Sequence, residues 1–304
     1  MRIVSLLPSA TEIVYALGRG PALVGRSADC DFPREVRSLP VVMRPRSELL
    51  ADSSAAIDRE VLALRSSGAS LYDLDVDLLR QLRPDVVLTQ ELCGVCSVTP
   101  QEVDRACRLA AVSPRIVSLT PVSLEGILES IRIVGAAIDA PSQSTRVVGT
   151  LAERGVRVRN AAPHEARAVA VLEWIDPPIL AGLWTPEMIA AAGGRSVGGA
   201  APGLPGVRTT WAALARESPE ILVVSPCSFS VDRTRQELGT ERSAAARSML
   251  SESHTWIADE AYFSRPGPRL WDGLELLGAL VRGEDPSSPY PVHEWAPAAA
   301  EVAT

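Results

Sequence analysis

The chain has 304 residues, 46% of them hydrophobic and 22% charged, with a net charge of −7. That composition fits a soluble globular protein with length for one large domain or two lobes. The acidic balance excludes the basic face of a nucleic-acid binder, and no apolar run approaches the roughly 18–20 residues of a membrane span. The opening "MRIVSLLPSATEIVYALG" reads as a buried strand, Ile3–Leu7, followed by a helix that Ser9-x-x-Glu12 opens as a capping box. It lacks the basic region, long apolar core and small-residue cleavage site of a secretory signal. A cytoplasmic protein is therefore expected, with its five cysteines as thiols or metal ligands and not as disulfides.

Further along, Ala22–Ser27 reads as a second strand. Val86–Gln90 is a third, after the helix "VDLLRQL", and Arg115–Thr120 a fourth, before "SLEGILESIRIVGAAI". Strands alternating with helices predict parallel βαβ units, and their nearly continuous apolar character suits sheets covered on both faces. The polar stretch from Pro141 carries apolar residues at helical spacing and reads as a connecting helix. A second set of strands follows at Ala168–Ile175, Glu220–Pro226 and Thr255–Ala261, and a last helix at Leu270–Val281. The expected organisation is an α/β fold of two Rossmann-like lobes, parallel sheets flanked by helices and joined by a long rigid helix, with a ligand cleft between them. The lobes span 1–140 and 164–284, the helix 141–163, and a loose tail 285–304.

Ligands of open parallel sheets bind beyond the carboxyl ends of the strands. Cys30 lies three residues past the second strand, Cys93 three past the third with Cys96 just beyond, and Cys227 directly after "EILVVSP". A C-x-x-C with thiols converging from other loops is a candidate metal or cluster site. A redox dithiol is disfavoured because the pair precedes the helix that Thr99-Pro100 opens instead of capping it. Cys107 falls inside a helical run and is expected in the core. None of the three histidines, His164, His254 and His293, lies where a metal ligand is expected. Trp174 and Trp184, flanking a Pro-Pro turn, can stack on a flat ligand. Phe263 and Arg265 follow the last strand, and Arg265 can meet an anionic ligand group. The glycine-rich "GGRSVGGAAPGLPG" follows a helix, not a strand, so it is not a phosphate loop.

Taken together, "RIVSLLPSATEIVYALG", "LVGRSADCDFP", "LDVDLLRQLRPDVVLTQ", "WIDPPILAG", "EMIAAAGG" and "RPGPRLWDGLELLGAL" resemble, in order, the class III periplasmic-type binding proteins, specifically the cobalamin-binding component of vitamin B12 ABC importers. The resemblance implies two lobes holding a ligand with little hinge motion. It places Asp29 and Gln90 where family members carry corrin-contacting aromatics, next to Cys30 and Cys93. Of the acidic pair that docks such proteins to a permease, Asp77 matches one member and Ala212 stands at the other, which counts against ABC permease docking. The expectation is a binding protein for a small molecule or metal chelate, a cobalamin-type corrinoid, with no nucleic-acid partner. Two alternatives stand beside it. One is an enzyme using an iron–sulfur cluster or zinc held by Cys30, Cys93, Cys96 and Cys227. The other is an importer component whose signal peptide is absent.

Overall fold

The computed structural model describes residues 1–46, 53–91, 98–240, 244–286 and 292–294. They form two compact units. One comprises Met1–Asp52, Ala56–Ala152 and Pro266–Pro268; the other comprises Ser53–Ala55, Glu153–Arg265 and Arg269–Thr304.

The elements up to the unit boundary are β1 (Ile3–Ser5), α1 (Pro8–Ala16), β2 (Leu23–Ser27), β3 (Val41–Pro45), α2 (Ser54–Ser66), β4 (Tyr72–Leu74), α3 (Val76–Leu82), β5 (Val86–Gln90), α4 (Pro100–Leu109), β6 (Arg115–Leu119) and α5 (Leu124–Ala137). Their six-stranded sheet runs β4-β3-β2-β1-β5-β6 and is parallel except where β4 meets β3. Every residue of β1 and β5 is buried, the polar Ser5, Thr89 and Gln90 included, as in strands covered on both faces. On one face Val4, Leu6, Met43 and Val87 pack with Leu79 of α3 and with Val103, Ala106 and Cys107 of α4. Burial of each such aliphatic side chain contributes about 1.5–3 kcal/mol. Cys107 is thus a core residue, and burial pushes its thiol pKa up.

The start of α1 differs from expectation. Pro8 is its first residue and Leu7 the N-cap, with no side-chain cap; Ser9 and Glu12 are buried within the helix. Proline suits a first helical position because its missing N–H would have no partner there. A capping box does occur at α4, where Thr99 and Glu102 bond reciprocally.

Helix α6 (Pro141–Asn160) carries the chain from one unit into the other. The second unit holds β7 (Ala168–Trp174), β8 (Ile179–Leu180), α7 (Thr185–Ala191), β9 (Arg195–Ser196), β10 (Val207–Arg208), α8 (Trp211–Arg216), β11 (Ile221–Val224), α9 (Val231–Thr240), α10 (Ala244–Glu252), β12 (His254–Ala258), α11 (Leu270–Arg282) and β13 (Val292–Glu294). Its sheet runs β10-β8-β7-β11-β12-β13, with β9 also on β7. The centre β7-β11-β12 is parallel, whereas β8, β10 and β13 pair antiparallel. Within the stretch read as a loose tail, Val292–Glu294 therefore forms a strand against β12. Helix α6 is clamped to α11 by Arg154, whose Nε and Nη2 donate to Glu275 at 2.8 and 2.7 Å and whose Nη2 also reaches Asp272.

Candidate functional site

In each sheet the chain departs to opposite sides of one central strand, β1 in the first unit and β7 in the second. Such switch points place ligand-binding loops at the carboxyl ends of the strands beside them. The two units are treated in turn.

In the first unit Gln90 closes β5 and is buried, paired across the sheet with Leu119. Asp29 lies half-buried in the loop after β2, its N–H donating to Ser27 Oγ at 3.3 Å. Cys30 is 1% exposed, and its Sγ accepts a hydrogen bond from Thr11 Oγ1 at 3.1 Å. One guanidinium nitrogen of Arg26 gathers this loop by donating to the carbonyls of Ser27, Ala28 and Cys30 at 2.9–3.3 Å. Cys30 thus sits where a packed thiol sits. Two residues on, Phe32 is 45% exposed, beside a cis bond to Pro33. Phe32, an aromatic within "DCDFP", stands in the same strand-end loop as Asp29 and was not singled out in the sequence. Cys93 and Cys96 lie outside the described residues. The ends flanking them are fixed: Thr89 Oγ1 donates to the Val98 carbonyl at 2.9 Å, and Thr99 caps α4. A groove of about 400 Å³ lined by Arg80, Arg83 and Val112 opens at the amino ends of β5 and β6, the far end of the sheet from Gln90.

In the second unit Trp174 ends β7, at the switch point. Its ring lies 5.3 Å from that of Phe229, tilted by 56°, and the Arg233 guanidinium sits 3.8 Å from the Phe229 centroid. This arrangement stacks cation, aromatic and indole. The Trp174 indole nitrogen is buried and has no hydrogen-bond partner among the described residues. Phe229 and Arg233 were not singled out in the sequence, although "PCSFSVDR" directly follows a strand and puts them four residues apart. Cys227 is half-buried in the same loop, its N–H bonded to the Glu173 carbonyl at 3.2 Å.

Trp184 has a different role from Trp174. It is 4% exposed and its indole N–H donates to the Phe263 carbonyl at 2.7 Å; Phe263 is itself buried. Arg265 is also buried and forms an ion pair with Glu260 in its own unit. Glu260 accepts a second bond from the Ser228 N–H. Burial pushes the Glu260 pKa up, and this outweighs the opposing pull of Arg265 and the Ser228 N–H. Among the described residues no three His, Cys, Asp or Glu side chains come together to hold a metal ion. His164 and His254 are exposed. Asp77 is exposed in the first turn of α3, paired with Arg80, and Ala212 is exposed on α8. No helix among the described residues is long and apolar enough to cross a membrane.

The chain is similar to an uncharacterized ABC transporter substrate-binding lipoprotein, YvrC, of Bacillus subtilis: 22% identical over 289 residues, covering 92% of this chain and 79% of the relative. It is 23% identical over 233 residues to a vitamin B12-binding protein of Photorhabdus laumondii, covering 74% of this chain and 70% of that one. Among solved structures, a periplasmic heme-binding protein from Pseudomonas aeruginosa has the same fold, with a TM-score of 0.69 at 20% identity, covering 97% and 95% of the two chains. The family model for periplasmic binding proteins matches residues 3–256, and the chain belongs to that family.

Proposed function

We propose that this chain is a binding protein for a metal-bearing macrocycle, with a cobalamin-type corrinoid as its first candidate ligand. Relatives named for vitamin B12 and a structural neighbour named for heme support that class of ligand. The observation that carries the reading is Trp174. It ends the switch-point strand β7, is backed by Phe229 and Arg233, and holds a buried indole N–H without an acceptor among the described residues. A buried donor left unbonded costs about 1–3 kcal/mol, a cost that a ligand carbonyl or carboxylate would remove. The exposed Phe32 ring adds flat apolar surface on a strand-end loop of the first unit.

The test is titration with cyanocobalamin and, separately, hemin, followed by difference absorbance and tryptophan quenching. Saturable one-site binding of cyanocobalamin is expected. Trp174→Ala should weaken it about tenfold or more, as loss of a buried aromatic anchor does. Saturation by hemin alone would move the ligand to the tetrapyrroles with propionates. Binding of neither would overturn the proposal.

A further inference from the structure

The groove at the amino ends of β5 and β6 belongs to an acidic chain, yet its own surroundings are basic. Arg80 and Arg83 line it with Val112 and Ser113 in a volume of about 400 Å³. Arg2 adjoins it, its Nε donating to the Leu82 carbonyl and its N–H to the Asp85 carboxylate. Arg115 follows on the next strand, its N–H bonded to the Asp85 carbonyl at 2.8 Å. Four arginines therefore face two aspartates, Asp85 and the Asp77 that pairs with Arg80, in a chain of net charge −7.

Two features suit this face to anions. The groove lies where α3 and α4 end, and the last carbonyls of a helix carry partial negative charge. Arginines cover those carbonyls here: Arg2 bonds that of Leu82, and Arg80 Nη2 bonds that of Leu109 at 3.0 Å. The side chains of Arg83 and Arg115, by contrast, are exposed and make no hydrogen bond or ion pair among the described residues. Two guanidinium groups are thus left for a partner. Between these cations the Leu109 side chain is 61% exposed.

We infer that this face of the first unit docks on an anionic phospholipid surface, with lipid phosphates at Arg83 and Arg115 and Leu109 in the headgroup layer. The planar guanidinium fork matches phosphate oxygens. An exposed leucine among the cations gains from a membrane interface and gains nothing from a dissolved anion. The net charge of the chain opposes the approach, but charges more than about 8 Å away are largely screened at physiological salt, so the arginines in contact decide. The groove lies at the far end of the sheet from Gln90, which leaves the strand-end loops of this unit uncovered. Docking of this kind does not depend on which ligand the chain holds.

The experiment is sedimentation of the full chain with vesicles of equal parts phosphatidylglycerol and phosphatidylcholine, and with vesicles of phosphatidylcholine alone. At about 0.15 M salt the chain should sediment with the anionic vesicles only, and about 1 M salt should release it, since the screening length falls to about 3 Å. Arg83→Gln and Arg115→Gln should each weaken the partition about fivefold, the effect of one cation near an anionic surface. Neither side chain has a partner to lose, so both variants should keep the wild-type Tm. Arg235→Gln removes the same charge from α9 in the other unit and should partition as the wild type does. Equal sedimentation with both vesicles, or with neither, would overturn the inference, as would Arg83 and Arg115 variants that partition like Arg235→Gln. Saturable binding of inorganic triphosphate by a chain that ignores the anionic vesicles would also overturn it, and would assign the groove to a dissolved anion.

Discussion

Trp174 and Trp184 stand ten residues apart, flank the same Pro-Pro turn, and read alike in the sequence as rings for stacking on a ligand. The structure divides them by what happens to the indole N–H. In Trp184 it is spent on the Phe263 carbonyl at 2.7 Å inside a buried contact; in Trp174 it is buried with no acceptor among the described residues. Trp184→Phe should therefore act on stability, lowering it by about 1–3 kcal/mol because a buried carbonyl loses its donor, as chemical denaturation would show. Arg265 follows the same logic. Its residue type pointed to an anionic ligand group, and in the fold its Nη2 forms an ion pair with Glu260 of the same unit. Which partner a buried polar group finds depends on residues distant in sequence, and no local pattern encodes that choice. Gly25 is a simpler case. A Cβ there would lie 2.7 Å from Val42 Cγ2 and 2.8 Å from Leu82 Cδ1, so β2 runs too close to its neighbours for any side chain. Gly25→Ala should cost about 1–3 kcal/mol through overpacking, measured as a lowered urea midpoint.

Elements were legible where local chemistry and burial agree. The helix Val76–Leu82 and the strand Val86–Gln90 occupy the residues their patterns indicate, because the Asp75 cap starts one and two-sided burial gives the other its apolar run Val86–Leu88. The strands that went unread are β3, which begins after Pro40 and ends at Pro45, and β4, β8, β9, β10 and β13, which have two or three residues each, too few to show a period. The box assigned to Ser9 and Glu12 failed because Pro8 begins the helix one residue earlier and both side chains turn inward. The real box at α4 makes a pH prediction. Burial opposes ionisation of Glu102, but the Thr99 N–H and hydroxyl and the Ser70 hydroxyl outweigh it and hold the carboxyl below its usual range. A carboxylate lowered on folding adds stability that is present above its unfolded value of about 4.3 and lost as pH falls through the lowered value. Thr99→Ala should cost about 1 kcal/mol at neutral pH, and Glu102→Gln should flatten the acid limb of the stability curve, both followed by circular dichroism. Packing between elements is just as specific. A Cβ at Gly273 would strike the Tyr262 carbonyl, so Gly273→Ala should push α11 off the turn that bears Glu260.

For the molecule as a whole, strand–helix alternation identified the α/β class and two separate sheets, since each unit repeats the pattern around its own core. Parallel pairing holds through the centre of each sheet, while the antiparallel partners gather at the margins, where strands are too short to announce themselves. A ligand that binds only the folded chain stabilises it by mass action, by about 2.7 kcal/mol at a hundredfold excess over Kd. Cyanocobalamin should accordingly raise Tm in a concentration-dependent way, and Trp174→Ala should blunt the rise. One of the marginal strands has a separate consequence. Residues Val292–Glu294 satisfy the outer row of backbone N–H and C=O groups on β12, whose Ile257 and Ala258 are fully buried. Proteolysis just after Asp285 would strip that cover and leave a hydrophobic strand ready to template a second chain. A clipped form should therefore self-associate in a concentration-dependent manner visible by light scattering, while the intact protein stays dispersed. The last short strand is thus the cover of the β12 edge.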